Sequence, residues 1–174
     1  MRLLRFLPLL LTLLAAPVFA DSNFQVELIL FRQASTPLLS SQPVPEDWAD
    51  DAQLPASGSE RSTALNDEAA KLSPANGYEV LLHRAWQQSV GAAPVKIALS
   101  NGQEQLGQFP VQGILTLQQD SFVEATADFW ANQFDADGMV ESSEHIKQSR
   151  RLKNDQVTYL DHGSLGVLIK VSPL

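Results

Sequence analysis

The sequence has 174 residues, no cysteine, and 20 acidic against 12 basic side chains, a formal net charge of −8. One domain is the default at this length, and the missing cysteine excludes disulfide frameworks, Cys-ligated zinc or iron–sulfur centres, thiol nucleophiles and cysteine lipidation. The acidic balance argues against duplex nucleic acid as a partner, because phosphate binding needs a basic surface.

Met1-Arg2-Leu3-Leu4-Arg5 is a short basic start, Phe6 to Ala16 is leucine-rich, and Pro17-Val18-Phe19-Ala20 ends in a small residue. That order is the pattern of a cleavable export signal over residues 1–20, cut after Ala20. The apolar run is too short to span a bilayer, which takes about 20 residues. Removal takes Arg2 and Arg5 with it, leaving 10 basic and 20 acidic residues over 21–174, a net of −10. The remaining chain has no later stretch of membrane length, so it is expected to be soluble.

Asn23 to Phe31 alternates, with Phe24, Val26, Leu28 and Leu30 on one face, which predicts a strand. From about residue 32 to 63 the chain is proline-rich and acidic, with Glu46-Asp47 and Asp50-Asp51 around Trp48. It predicts an irregular loop, followed by a short helix around Ala64–Leu72. Tyr78 to Trp86 reads as a central strand with Tyr78, Val80, Leu82, Arg84 and Trp86 on one face. Val95–Leu99 and Gln103–Phe109 form a predicted hairpin around Asn101-Gly102, a pair suited to a tight turn.

A second hairpin joins Gly113–Gln118 to Phe122–Ala131. There the alternation of Val123, Ala125, Ala127, Phe129 and Ala131 favours a strand over the helix that Ser121-x-x-Glu124 would cap. Glu144–Leu152, Gln156–Leu160 and Gly166–Val171 complete some seven strands. Short turns and one weak helix imply an α+β fold, a predominantly antiparallel sheet with one or two short helices in a single domain.

Several phrases occur together: Phe24-Gln25-Val26-Glu27-Leu28-Ile29-Leu30-Phe31-Arg32, then Tyr78-x-Val80-Leu81-x-His83-x-Ala85-Trp86-x-Gln88. Arg150-Arg151-Leu152 leads on to Tyr159-Leu160-Asp161-His162, and Gly166-Val167-Leu168-Ile169-Lys170-Val171-x-Pro173 closes the chain. In these the chain resembles the CsiV family of periplasmic proteins, peptidoglycan-binding regulators of cell-wall synthesis in Gram-negative bacteria. The resemblance implies a periplasmic protein that binds cell-wall peptidoglycan and assists a penicillin-binding protein through an outer-membrane lipoprotein activator. It supplies no catalytic or ligand residue, so sites rest on side-chain chemistry.

No Ser-x-x-Lys occurs, and Gly163-Ser164-Leu165-Gly166 is one residue short of the Gly-x-Ser-x-Gly elbow. His83, His145 and His162 are isolated, and no second histidine follows Glu144-His145 at metalloprotease spacing. No catalytic residue and no cofactor is assigned. Over Gln133–Glu144, Asp135, Asp137, Gly138 and Glu144 fit part of a calcium-loop pattern, but Gln133 stands where aspartate is expected and an acidic hairpin loop explains the same residues.

Lys147, Arg150, Arg151 and Lys153 gather four cations into seven residues. They suit stem-peptide carboxylates, which arginine pairs bidentately, with an edge strand protected by charge as the reading favoured over it. Trp86, Trp130 and Tyr159 are the aromatics offered for sugar contact, with burial in the core as the competing reading. The rival to glycan binding is an envelope interaction or assembly factor without glycan affinity.

Overall fold

The computed structural model describes residues 21–34 and 36–174; the expected export signal lies outside the described residues. Eight strands follow in chain order: β1 (Ser22–Gln33), β2 (Tyr78–Val90), β3 (Val95–Asn101), β4 (Val111–Gln119), β5 (Val123–Phe134), β6 (Val140–Leu152), β7 (Thr158–His162) and β8 (Leu165–Pro173). One helix, α1 (Asn66–Lys71), and a 3-10 turn at Pro74–Asn76 lie between β1 and β2. The strands form two four-stranded sheets, ordered β2-β1-β8-β7 and β3-β4-β5-β6, and every neighbouring pair is antiparallel.

A single apolar core joins the sheets. The even positions of β1, Phe24, Val26, Leu28 and Leu30, face the same cluster as Leu115 and Leu117 of β4, Ala125, Ala127, Phe129 and Ala131 of β5 and Ile146 of β6. Strict alternation delivers this, since neighbouring side chains of a strand point to opposite faces. Gly113 of β4 leaves room for its partner on β5, because a Cβ there would stand 2.5 Å from the Phe129 ring. The odd face of β1 carries Ile29 and Phe31 into a smaller cluster with Leu65, packed by Ala69 and Leu72 of the α1 region. The helix therefore covers the outside of the first sheet.

The predicted β-rich class holds, but helix is confined to six residues and the layers are sheet on sheet. Three local expectations change. β3 pairs with β4, not with Gln103–Phe109. The latter segment offers the core little alternating apolar surface, and it turns back on itself at Leu106-Gly107, closed by backbone bonds between Gln105 and Gln108 of 2.7 and 2.9 Å. β2 is an edge strand, and the ladder slips at Leu81, which has no partner opposite β1. The slip sends Tyr78 and Val80 to the outer cluster while Leu82 and Trp86 enter the core, so they do not share a face. The strand expected over Phe122–Ala131 is present as β5, from Val123 onward, and not the helix that Ser121-x-x-Glu124 would cap.

The proline-rich segment is irregular, as expected, yet it is docked. It bridges Leu39 to Glu144 on β6, Gln53 to Ile97 on β3 and Glu60 to Trp86 on β2. Three of the four sheet edges thus receive a backbone contact from one segment.

Candidate binding surfaces on the second sheet

The outer face of β5 and β6 presents four cross-strand pairs in a row: Trp130 with His145, Asp128 with Lys147, Thr126 with Ser149, and Glu124 with Arg151. His145 stacks on Trp130 with ring centroids 3.9 Å apart, and its Nε2 donates to Asp128 Oδ1 at 2.7 Å. Lys147 Nζ reaches the other carboxylate oxygen at 2.7 Å. Burial opposes ionisation of Asp128, but the hydrogen bonds from His145 and Lys147 outweigh it and hold the carboxyl below its ordinary range. Thr126 and Ser149 hydroxyls bond at 2.7 Å. At the end of the row the Arg151 guanidinium lies 4.3 Å from the centre of the Phe122 ring, a cation–π contact. Arg150 is exposed and has no ion-pair partner among the described residues.

This places the sequence-proposed residues. Trp130, Lys147 and Arg151 do share one face, and Arg150 leaves the opposite side of the same edge strand. Trp130 is only 8% exposed, roofed by His145, so its ring face is not open. Trp86, at 1%, belongs to the core and is removed from the candidate site. Tyr159 lies on the first sheet, stacked on Phe31 at 6.2 Å, with its hydroxyl accepting from Gln33 Nε2 at 3.3 Å. Partial burial, then the nearby Asp161 carboxylate and Tyr78, push its hydroxyl above the usual value.

The calcium-loop reading fails on geometry. Asp135 Oδ1 accepts the amides of Asp137 and Met139, both at 2.9 Å, which is turn chemistry. Glu144, 2% exposed, accepts from Arg32 Nε at 2.6 Å and from the Ser164 hydroxyl. Its charge is therefore spent inside the fold, tying β6 to the end of β1 and to the β7–β8 turn. No group of three or more candidate metal ligands occurs among the described residues. A second buried carboxylate, Glu27, is spent similarly: it accepts from the amides of Ala64 and Leu65 and pairs with His83 Nε2 at 2.7 Å. It fixes the chain entering α1.

Past the far end of the β5–β6 row, an open cleft of about 720 Å³ lies between residues 40–46, the Gln105–Gln108 turn and the β5–β6 hairpin tip. Its polar walls are serines and glutamines with Glu46 and Glu141 as the acids, and Pro43, Val44, Leu106, Met139 and Val140 supply the apolar lining. Sequence patterning missed this site because its walls come from three separate loops. Asp128 and His145 were missed for a related reason, since their meeting depends on the β5–β6 register. The available hint was Leu106-Gly107, an apolar residue where a tight turn usually carries a polar one.

A small two-sheet sandwich with one polar, solvent-facing sheet and a cleft at its end has the build of a binding module. Over residues 57–174 the sequence matches the family model for CsiV, described as a peptidoglycan-binding protein. The chain belongs to the CsiV family. No curated protein and no solved structure matches it at a significant level. The matched span leaves out β1 and its phrase Phe24–Arg32, on which the sequence resemblance also drew.

Proposed function

We propose that the chain is a periplasmic, non-enzymatic peptidoglycan-binding protein. It assists cell-wall synthesis through a partner of the penicillin-binding machinery, an outer-membrane lipoprotein activator being the kind of partner the family suggests. Family membership carries the reading. The residue chemistry supports it at the basic end of β6, where Arg150 is exposed and unpaired and Arg151 keeps its charge at the surface beside Phe122. Guanidinium groups of this kind suit the carboxylates of stem peptides.

The absence of catalysis is supported by how the candidate groups are used. Ser164 Oγ donates to the buried Glu144, and His83 and His145 are each engaged by a carboxylate, Glu27 and Asp128. None of these histidines is bonded to a serine hydroxyl, as an activated nucleophile requires.

Co-sedimentation of residues 21–174 with purified sacculi tests the reading. Binding is expected, and the joint substitution R150A/R151A is expected to weaken it about two- to thirtyfold at low salt, the sum of two exposed ion pairs. The loss should shrink as salt rises. No sedimentation of the wild type at either ionic strength would remove glycan binding and leave an envelope interaction factor. Normal sedimentation of the double variant would assign the two arginines to protection of the β6 edge.

A further inference from the structure

The row of cations on β6 answers to carboxylates, and the cleft beyond the hairpin tip is chemically its opposite. Its charged wall residues are Glu46 and Glu141, which repel carboxylates. Gln42 and Gln105 line it with amide groups that make no side-chain hydrogen bond among the described residues, so donors and acceptors stand ready for a ligand. Its volume of about 720 Å³ is that of a small-molecule site.

Two apolar side chains stand at the rim. Leu106 is 77% exposed and Met139 60% exposed. Leu106 also holds a backbone φ of 51°, a left-handed conformation that branched side chains adopt at a cost and that asparagine or glycine adopts readily. The tip of this turn therefore carries a strained, solvent-facing leucine where folding alone would favour asparagine. Such strain points to a role outside the fold. Across the cleft, Gly138 at φ 81° lets Gln105 Oε1 lie over the hairpin tip, since a Cβ there would stand 3.0 Å from that oxygen.

We infer that this cleft binds the uncharged N-acetylated amino-sugar backbone of the glycan strand. The glutamine amides would meet its acetamido and hydroxyl groups, Leu106 and Met139 its acetyl methyls and sugar faces, and the two acids would turn the peptide stems away. The inference rests on the proposed peptidoglycan binding and assigns the sugar and the stem to opposite ends of the β5–β6 hairpin.

The probe is the β-1,4-linked tetramer of N-acetylglucosamine, which carries no stem and no carboxylate, titrated into the full exported chain and followed by amide NMR shifts. Shifts are expected at residues 105–108 and 138–143, not at 147–152. L106N, which keeps the turn and relieves its strain, should melt no lower than wild type yet bind the tetramer at least fivefold more weakly. R150A/R151A should bind it with wild-type affinity. Shifts confined to residues 147–152, or wild-type affinity in L106N, would overturn the inference. Sacculus binding without any tetramer shift at millimolar concentration would overturn it alone and leave the proposed function standing. Loss of both would remove the two together.

Discussion

Asp128 holds His145 and Lys147 in place on the exposed sheet, and its ionisation is coupled to folding. Its carboxyl titrates below the ordinary range in the folded chain. The unfolded chain therefore binds more protons across the interval between the two pKa values, and stability rises with pH there. The contribution is fully present above the unfolded aspartate pKa, about 3.9, and is lost as pH falls through the lower folded value. Urea melts of wild type and D128N should therefore converge as pH drops from about 5 towards about 3, and a constant gap would show that the pair is not coupled to folding. Alternation along residues 122–131 is enough to set Asp128 and Trp130 on one face. It does not show that His145 would cover Trp130, because the ladder shifts between Gln133 and Phe134 and that shift sets which β6 residue stands opposite. Buried acids are equally hard to read. Glu27 alternates correctly onto the outer face of β1, but its partners, Ala64, Leu65 and His83, are 37 or more positions away.

At the scale of elements, the proline-rich segment acts as a set of single-residue edge covers. Gln53 donates its amide to Lys96 O and accepts from the Ala98 amide, both at 2.9 Å, while Ser59 O accepts from Gln87 of β2 at 2.7 Å. Unpaired edges invite strand addition from other chains, and one-residue bridges blunt them without adding a strand. Q53P removes the bond to Lys96 O, a loss of about 1 kcal/mol, and perturbs the acceptor for Ala98. Hydrogen exchange should then speed up about tenfold at the Ala98 amide, on the order of 1.4 kcal/mol of local protection. Gln87 should keep its rate, because its acceptor sits at a separate anchor; parallel acceleration at both amides would instead mean that the segment opens as one unit. The irregularity of this segment is legible in Pro37, Pro43, Pro45 and Pro55. Its docking is not, because single backbone bridges leave no periodicity. The hairpin signal at Asn101-Gly102 was likewise half informative: it marked the end of β3 correctly, while Val111 to Leu117, with core-facing Leu115 and Leu117, supplied the better partner.

For the whole molecule, the question is which part of the chain is a folding unit, and β1 decides it. The family match begins at residue 57, yet β1 is the inner strand that holds β2 and β8 in one sheet. Phe24, Val26, Leu28, Ile29, Leu30 and Phe31 are all buried. At about 1.5–3 kcal/mol for each fully buried side chain, they contribute on the order of 9–18 kcal/mol as an upper bound. A domain of this size has a net stability of only about 5–15 kcal/mol. Removing β1 therefore takes away as much as the fold has to lose, and leaves β2 and β8 with unpaired backbone edges as well. The fragment 57–174 is expected to show no cooperative thermal transition, whereas 21–174 shows one. A peptide of residues 21–34 added in trans should restore protection at its ladder partners, Val167 and Ile169 on β8, because the register of β1 against both neighbours is fixed by its alternating faces. A cooperative melt of the fragment alone would mean that β2 and β8 close on each other without β1, and that the matched span is itself the domain.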